Sequence, residues 1–102
     1  MTEIKVPLAQ QAIDRYNVAS RELSALHRER GDLQAAAIEA RVGGYQQAIS
    51  EGSTVSDARH AADLASKHLS TEIAKLDGEI DGFSVELRYL DQLLAHLRGS
   101  NA

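Results

Sequence analysis

From Val55 to Leu97 apolar residues recur at Val55, Ala58, Ala62, Ala65, Leu69, Ile73, Leu76, Ile80, Phe83, Leu87, Leu90, Leu94 and Leu97. The steps alternate between three and four residues, except at Leu69–Ile73, where a four follows a four. Alternation of this kind keeps one stripe on one side of an α-helix and builds a seam against a second helix; the extra residue is a stutter that locally unwinds it. A weaker stripe runs upstream through Ala9, Ala12, Tyr16, Ala19, Leu23, Leu26, Arg30 and Leu33, then shifts phase to Ile38, Val42, Tyr45 and Ile49. No period-two alternation interrupts either stripe, so the pattern predicts an all-α chain.

The punctuation sets the boundaries. Pro7 is the only proline, and proline suits a first helical turn because its missing N–H would be unpaired there. Helix 1 is therefore expected over about residues 7–50, with 1–6 irregular. Glu51-Gly52-Ser53 supplies turn residues. Thr54 is placed to cap helix 2 by accepting from the N–H of Asp57, and Asp57 puts negative charge where the helix dipole favours it. Helix 2 then runs over about 54–98, Arg98 lies in its last turn, and residues 99–102 form a tail. A reversal at Gly52 pairs residues whose numbers sum to about 104, as in an antiparallel hairpin. Val42 then faces Ala62, Ile38 faces Ala65, Leu23 faces Ile80, Tyr16 faces Leu87 and Ala9 faces Leu94. Arg21, His27, Arg28 and Arg30 lie alongside Asp77, Glu79 and Asp81, which favours this register although exposed pairs contribute only a few tenths of a kcal/mol each.

The sequence thus reads as a single domain, an antiparallel two-helix coiled-coil hairpin. Gly31, Gly43, Gly44, Gly78 and Gly82 work against it, at roughly 1 kcal/mol each relative to Ala. Gly31-Asp32 could end one helix and cap the next, which leaves a three-helix chain (7–30, 32–50, 54–98) as the alternative.

A lone hairpin leaves both outer flanks wet and is marginally stable. Helix 2 carries a second stripe, Gly78, Gly82, Val85, Tyr89, Leu93 and His96, again at helical spacing. Gly78 and Gly82 form a small-xxx-small step that admits another backbone. Gly78, Gly82, Val85, Tyr89 and Leu93 are therefore the candidate interface, either for a second copy, in a four-helix bundle closed by two-fold symmetry, or for another protein.

Composition narrows the function. There is one Phe, three Tyr and no Trp among 102 residues, and the formal net charge is −4. Residues 1–50 are neutral, so the whole excess lies in 51–102. No strongly basic face exists to neutralise phosphates. Without cysteine there is no disulfide framework. No apolar run approaches the roughly 18–20 residues of a membrane span, and residues 1–6 lack a signal-peptide layout. A cytoplasmic location is expected, the host cytoplasm if the chain is viral.

Candidate chemistry is sparse. Asp57, His60 and Asp63, and separately His68 and Glu72, have helical spacings, but a zinc site needs three or four convergent ligands. Asp77, Glu79, Asp81, Glu86 and Asp91 form an acidic run that a slender helix pair cannot arrange across a cleft. Arg28 and Arg30 are the only basic patch, with no aromatic neighbour on which a base could stack. No catalytic residue, metal or cofactor is expected.

The segment Glu51-Gly52-Ser53-Thr54-Val55-Ser56-Asp57-Ala58-Arg59, followed by the Leu69–Leu97 seam, resembles the turn and second arm of small helical-hairpin proteins encoded by bacteriophages of high-GC bacteria. It covers about half the chain. The resemblance implies an accessory role: binding or inhibiting a host factor, or self-assembly. The expected function is non-enzymatic: a homo-oligomeric protein-interaction and assembly protein that presents a rigid helical surface. The alternative is an accessory nucleic-acid factor, a recombination or packaging helper, working through Arg28 and Arg30.

Overall fold

The computed structural model describes residues 2–100, with side chains from 8 to 99. It contains two α-helices, α1 (Thr2–Ser50) and α2 (Val55–Ser100), which pair antiparallel. No strand occurs among the described residues. The three-helix alternative is excluded, because α1 continues through Gly31, Gly43 and Gly44, and α2 through Gly78 and Gly82.

The reversal is built by the expected residues. Gly52 has φ +90°, the left-handed region that costs an L side chain energy. The Ser53 N–H donates to the Ala48 carbonyl at 3.0 Å and the Gly52 N–H to that of Ile49 at 3.0 Å. This pair of bonds is the Schellman arrangement, which satisfies carbonyls that the end of a helix would otherwise leave bare. Across the turn, the Asp57 N–H donates to Thr54 Oγ1 at 3.2 Å. Thr54 is therefore the N-cap and α2 proper starts at Val55.

Two boundaries differ from expectation. Helix α1 begins at Thr2, not at residue 7. Pro7 has no N–H to give the Glu3 carbonyl, but one missing bond this near the helix end does not stop the helix. Helix α2 extends through Gly99 to Ser100 rather than stopping at 98. Asn101 and Ala102, the rest of the expected tail, lie outside the described residues, as does Met1.

The contacts fall into two compact units, Met1–His27 with Gly78–Ala102, and Arg28–Asp77. In the first unit α2 contributes Ile80 and Leu97, buried, with Phe83, Leu87, Leu90 and Leu94 half-buried. Helix α1 answers with Ala12, Ala19 and Leu26, buried, and Tyr16 and Leu23, half-buried. Large side chains from α2 thus pack against a mixture of alanines and larger residues from α1, and each buried Leu or Ile contributes roughly 1.5–3 kcal/mol. Arg15 of α1 donates to both carboxylate oxygens of Glu86 on α2, and its guanidinium carbon stands 5.8 Å from the centre of the Phe83 ring.

The second unit, which holds the turn, is packed differently. Ile38, Val42, Ile49 and Val55 are not buried in the seam; they are 56%, 49%, 41% and 57% exposed. Ile38 lies at the rim of a cleft that it lines with Ala37, Ser66, Ser70 and Ile73. The inward positions after Leu33 are instead Ala37, Ala40, Gly44 and Ala48. On α2 they are met by Ala58, Ala62 and Ser66, with Ser66 buried where Ala65 was expected. The extra residue in the seam consequently falls at Ala62–Ser66, earlier than Leu69–Ile73. The cause is close approach. A β-carbon on Gly44 would stand 2.9 Å from the Ala65 Cβ and 3.2 Å from the Ala61 carbonyl oxygen. Backbones this near leave no volume for Ile or Val between them, so the small residues turn inward and the branched ones outward. Arg41 pairs with Asp63 at 3.5 Å on the expected register. Arg30 with Asp77, and in the other unit Arg15 with Glu86, lie about three residues from it, less than one helical turn.

Candidate functional site

The five positions of the candidate interface all lie on α2 within the first unit, in steps of four, three, four and four. Gly78 and Gly82 are exposed, and a β-carbon at either would meet nothing within 4 Å. Val85 is 40% and Tyr89 63% exposed, while Leu93 is half-buried. Tyr89 is the most exposed large apolar side chain among the described residues. A lone aromatic ring on a helix is common, but a ring on the same stripe as two uncovered glycines leaves a strip of backbone open to another helix.

The basic pair behaves as two separate side chains. Arg28 is exposed, whereas Arg30 is half-buried and donates to Asp77 and, at 2.9 Å, to Gln34 Oε1. The hydrogen bond to Asp77, reinforced by that carboxylate's charge and opposed by partial desolvation, raises the Arg30 pKa above its ordinary value. Its cation is already matched within the chain, so the pair offers a phosphate little more than Arg28.

The histidines and carboxylates assemble no centre. Among the described residues no group of three or more His, Asp or Glu side chains is placed to hold a metal ion. His27, His60, His68 and His96 are all exposed. Asp63 is ion-paired with Arg41, while Glu72 accepts from Lys75, Asp77 from Arg30 and Glu86 from Arg15. Three hydroxyls are also occupied. Ser66, the largest fully buried side chain described, donates to the Asp63 carbonyl at 3.3 Å. Ser50 and Thr71 donate to the carbonyls of Gln47 and Lys67. Back-bonding of this kind lets a polar residue sit in an interhelical seam without an unsatisfied group.

Openings lie along the helix pair in both units: one of about 420 Å³ beside Gly44, Ala48, Ala61 and Leu64, and one of about 350 Å³ among Ala9, Ile13, Leu94 and Leu97. One cleft in the second unit, about 180 Å³, lies among Arg30, Gln34, Arg41, Ser66 and Ser70, and both of its guanidiniums are paired with aspartates. Among the described residues no helix is long and apolar enough to cross a membrane.

Reading the sequence for function missed the outward stripe on α1. Ile38, Val42, Tyr45 and Ile49 are spaced for one helix face, and they were assigned to the inner seam for that reason. Ile38, Val42 and Ile49 are exposed in the second unit, while Tyr45 is half-buried. The signal that separates the two faces was present: an alanine and glycine series, Ala37, Ala40, Gly44 and Ala48, runs beside them. No protein family, curated protein or solved structure matches the chain.

Proposed function

We propose that this is a non-enzymatic assembly and interaction protein, which associates with further copies of itself and presents the resulting helical surface to a protein partner. What carries this reading is how little the hairpin buries. The chain exposes 7316 Å² at a mass of 11.1 kDa, where a compact monomer of that mass exposes about 5,700 Å². Among the described residues the largest fully buried side chain is a serine, and ten large apolar side chains are exposed. Chains with so thin a core are ordinarily completed by another layer.

Gly78, Gly82, Val85, Tyr89 and Leu93 supply a face for that layer. A second copy related by two-fold symmetry would close it into a four-helix bundle. A bacteriophage accessory protein that binds or inhibits a host factor fits this description. A nucleic-acid helper fits less well, because Arg30 is already held by Asp77.

Light scattering on the full chain tests the reading: a dimer or larger species is expected. Gly82→Arg should lower the mass while helicity stays unchanged, since nothing lies within 4 Å of the site. A wild-type chain that is monomeric and fully helical at tens of micromolar overturns it.

A further inference from the structure

The outer face of α2 in the first unit carries both a notch and the side chain that fits it. The notch is at Gly78 and Gly82, both exposed, where a β-carbon would meet nothing within 4 Å. The projection is Tyr89, 63% exposed and about two turns beyond Gly82. At about 100° per residue, Asp81 and Arg88 lie along one flank of this face, and Glu79 and Glu86 along the other. Arg15 of α1 pairs with Glu86, so α1 packs toward that second flank and leaves the first clear. Asp81 and Arg88 are exposed, and among the described residues neither makes an ion pair within the chain. They stand about 10 Å apart along the axis and do not meet each other.

A second copy turned antiparallel supplies what each lacks. An antiparallel two-fold pair sets like flank beside like flank, so Asp81 of each copy meets Arg88 of the other, at two equivalent contacts. That pairing fixes the register. Tyr89 of the copy then lies level with Ile80, over the gap between Gly78 and Gly82, where the missing side chains admit its ring. The two Val85 side chains meet beside the axis. On the other flank Glu86 approaches its counterpart, but each is already matched by Arg15 of its own chain. Parallel pairing would instead set Asp81 beside Glu79 of the copy and Tyr89 on Tyr89, with glycine against glycine and nothing to fill the notch.

We propose that this face of α2 docks antiparallel on the same face of a second copy, in the register that pairs Asp81 with Arg88 and seats Tyr89 over Gly78 and Gly82. This rests on the self-association reading above. It adds the orientation and the register, and it names a second copy rather than another protein as what covers the face.

Asp81→Arg and Arg88→Asp, made separately in the full chain, test the charge contacts at exposed positions. Each variant alone opposes like charges at both contacts, and should raise the dimer dissociation constant about tenfold at low salt with helicity unchanged. Mixed in equal amounts, the two restore opposite charges at both contacts, and the mixture should associate as tightly as the wild type. The chain has no native cysteine, so introduced thiols report the orientation. Val85→Cys should cross-link with itself on gentle oxidation, because its two copies lie about 1.5 Å apart along the axis. Leu93→Cys should not, because its copies lie about 25 Å apart, beyond the ~7 Å Cα separation that a disulfide spans. Self-linking of Leu93→Cys as efficient as that of Val85→Cys means parallel pairing and overturns the inference. If the wild type dimerises and Gly82→Arg dissociates it, while the charge variants behave like the wild type alone and mixed, this inference fails and the proposed function stands. A wild type that stays monomeric defeats both, and leaves the face to a different protein.

Discussion

Gly44 stands so close to Ala65 that a methyl group at residue 44 would lie 2.9 Å from the alanine's own. Real β-carbons do not approach so closely, so the contact holds only while residue 44 is glycine. Replacing a helical glycine by alanine ordinarily gains about 1 kcal/mol, and overpacking ordinarily costs 1–3 kcal/mol. Gly44→Ala should therefore destabilise slightly and Gly44→Leu by about 3 kcal/mol. Gly31→Ala and Gly43→Ala, which face open space, should each stabilise by about 0.5–1 kcal/mol. Urea unfolding at one protein concentration measures the contrast; a gain from Gly44→Ala equal to that from Gly43→Ala would contradict the close approach.

Leu76 and Leu64 test which stripe is the core. Leu76 is 8% exposed and Leu64 57%. Leu76→Ala should cost about 2–4 kcal/mol through lost burial and the cavity left behind. Leu64→Ala should stay within about 0.5 kcal/mol. Similar losses at both positions would mean that α2 is rotated from the arrangement described.

The turn should be sensitive at two positions for different reasons. Gly52→Ala forces a β-carbon into the left-handed region, at about 1–2 kcal/mol. Thr54→Ala removes the acceptor of the Asp57 N–H, at about 1 kcal/mol. Thr54→Ser keeps the acceptor and should recover most of that loss in thermal unfolding.

Arg15 is held by its hydrogen bond to Glu86, which raises the guanidinium pKa further, helped by the charges of Glu86 and Glu22 and opposed by partial desolvation. A cation whose pKa is raised on folding contributes stability that is complete below its unfolded value and lost only as pH climbs through the folded one. For arginine both values lie above any working pH. The stability difference between wild type and Arg15→Met should therefore be flat from about pH 6 to 9. It should shrink at 1 M salt, because the pair is exposed and screened. A difference that varies strongly across that pH range would assign the effect to another group.

How legible the fold was depends on side-chain size. The α2 seam from Leu69 to Leu97 could be read because its residues are large and each inward step is a Leu, Ile or Phe. The cap at Thr54 and the turn at Gly52 could be read because hydrogen-bond chemistry and backbone sterics leave few alternatives there. The second half of α1 was misread, because periodicity finds apolar stripes without saying which one faces in. Ile38, Val42 and Ile49 outweigh Ala37, Ala40 and Ala48 on any hydrophobicity scale, yet close backbones accept only the alanines. Ser66 was overlooked for the same reason: its neighbour Ala65 is the less polar, but a serine that bonds to its own helix packs as a small residue. The α2 face could be located by spacing, but its openness could not, since that depends on what α1 fails to cover.

The two kinds of seam imply opposite mutational tolerances along one pair of helices. Around Gly44, Ala58 and Ala62, variation should be limited by added bulk, so that even a conservative enlargement is harmful while truncation has little left to remove. Around Ile80, Leu87 and Leu97, shrinking a side chain should be the damaging change, and shape-preserving exchanges among Leu, Ile and Met should be accepted. A saturation library would show this as a reversal in the sign of the size preference between the unit that holds the turn and the unit that holds the two chain ends.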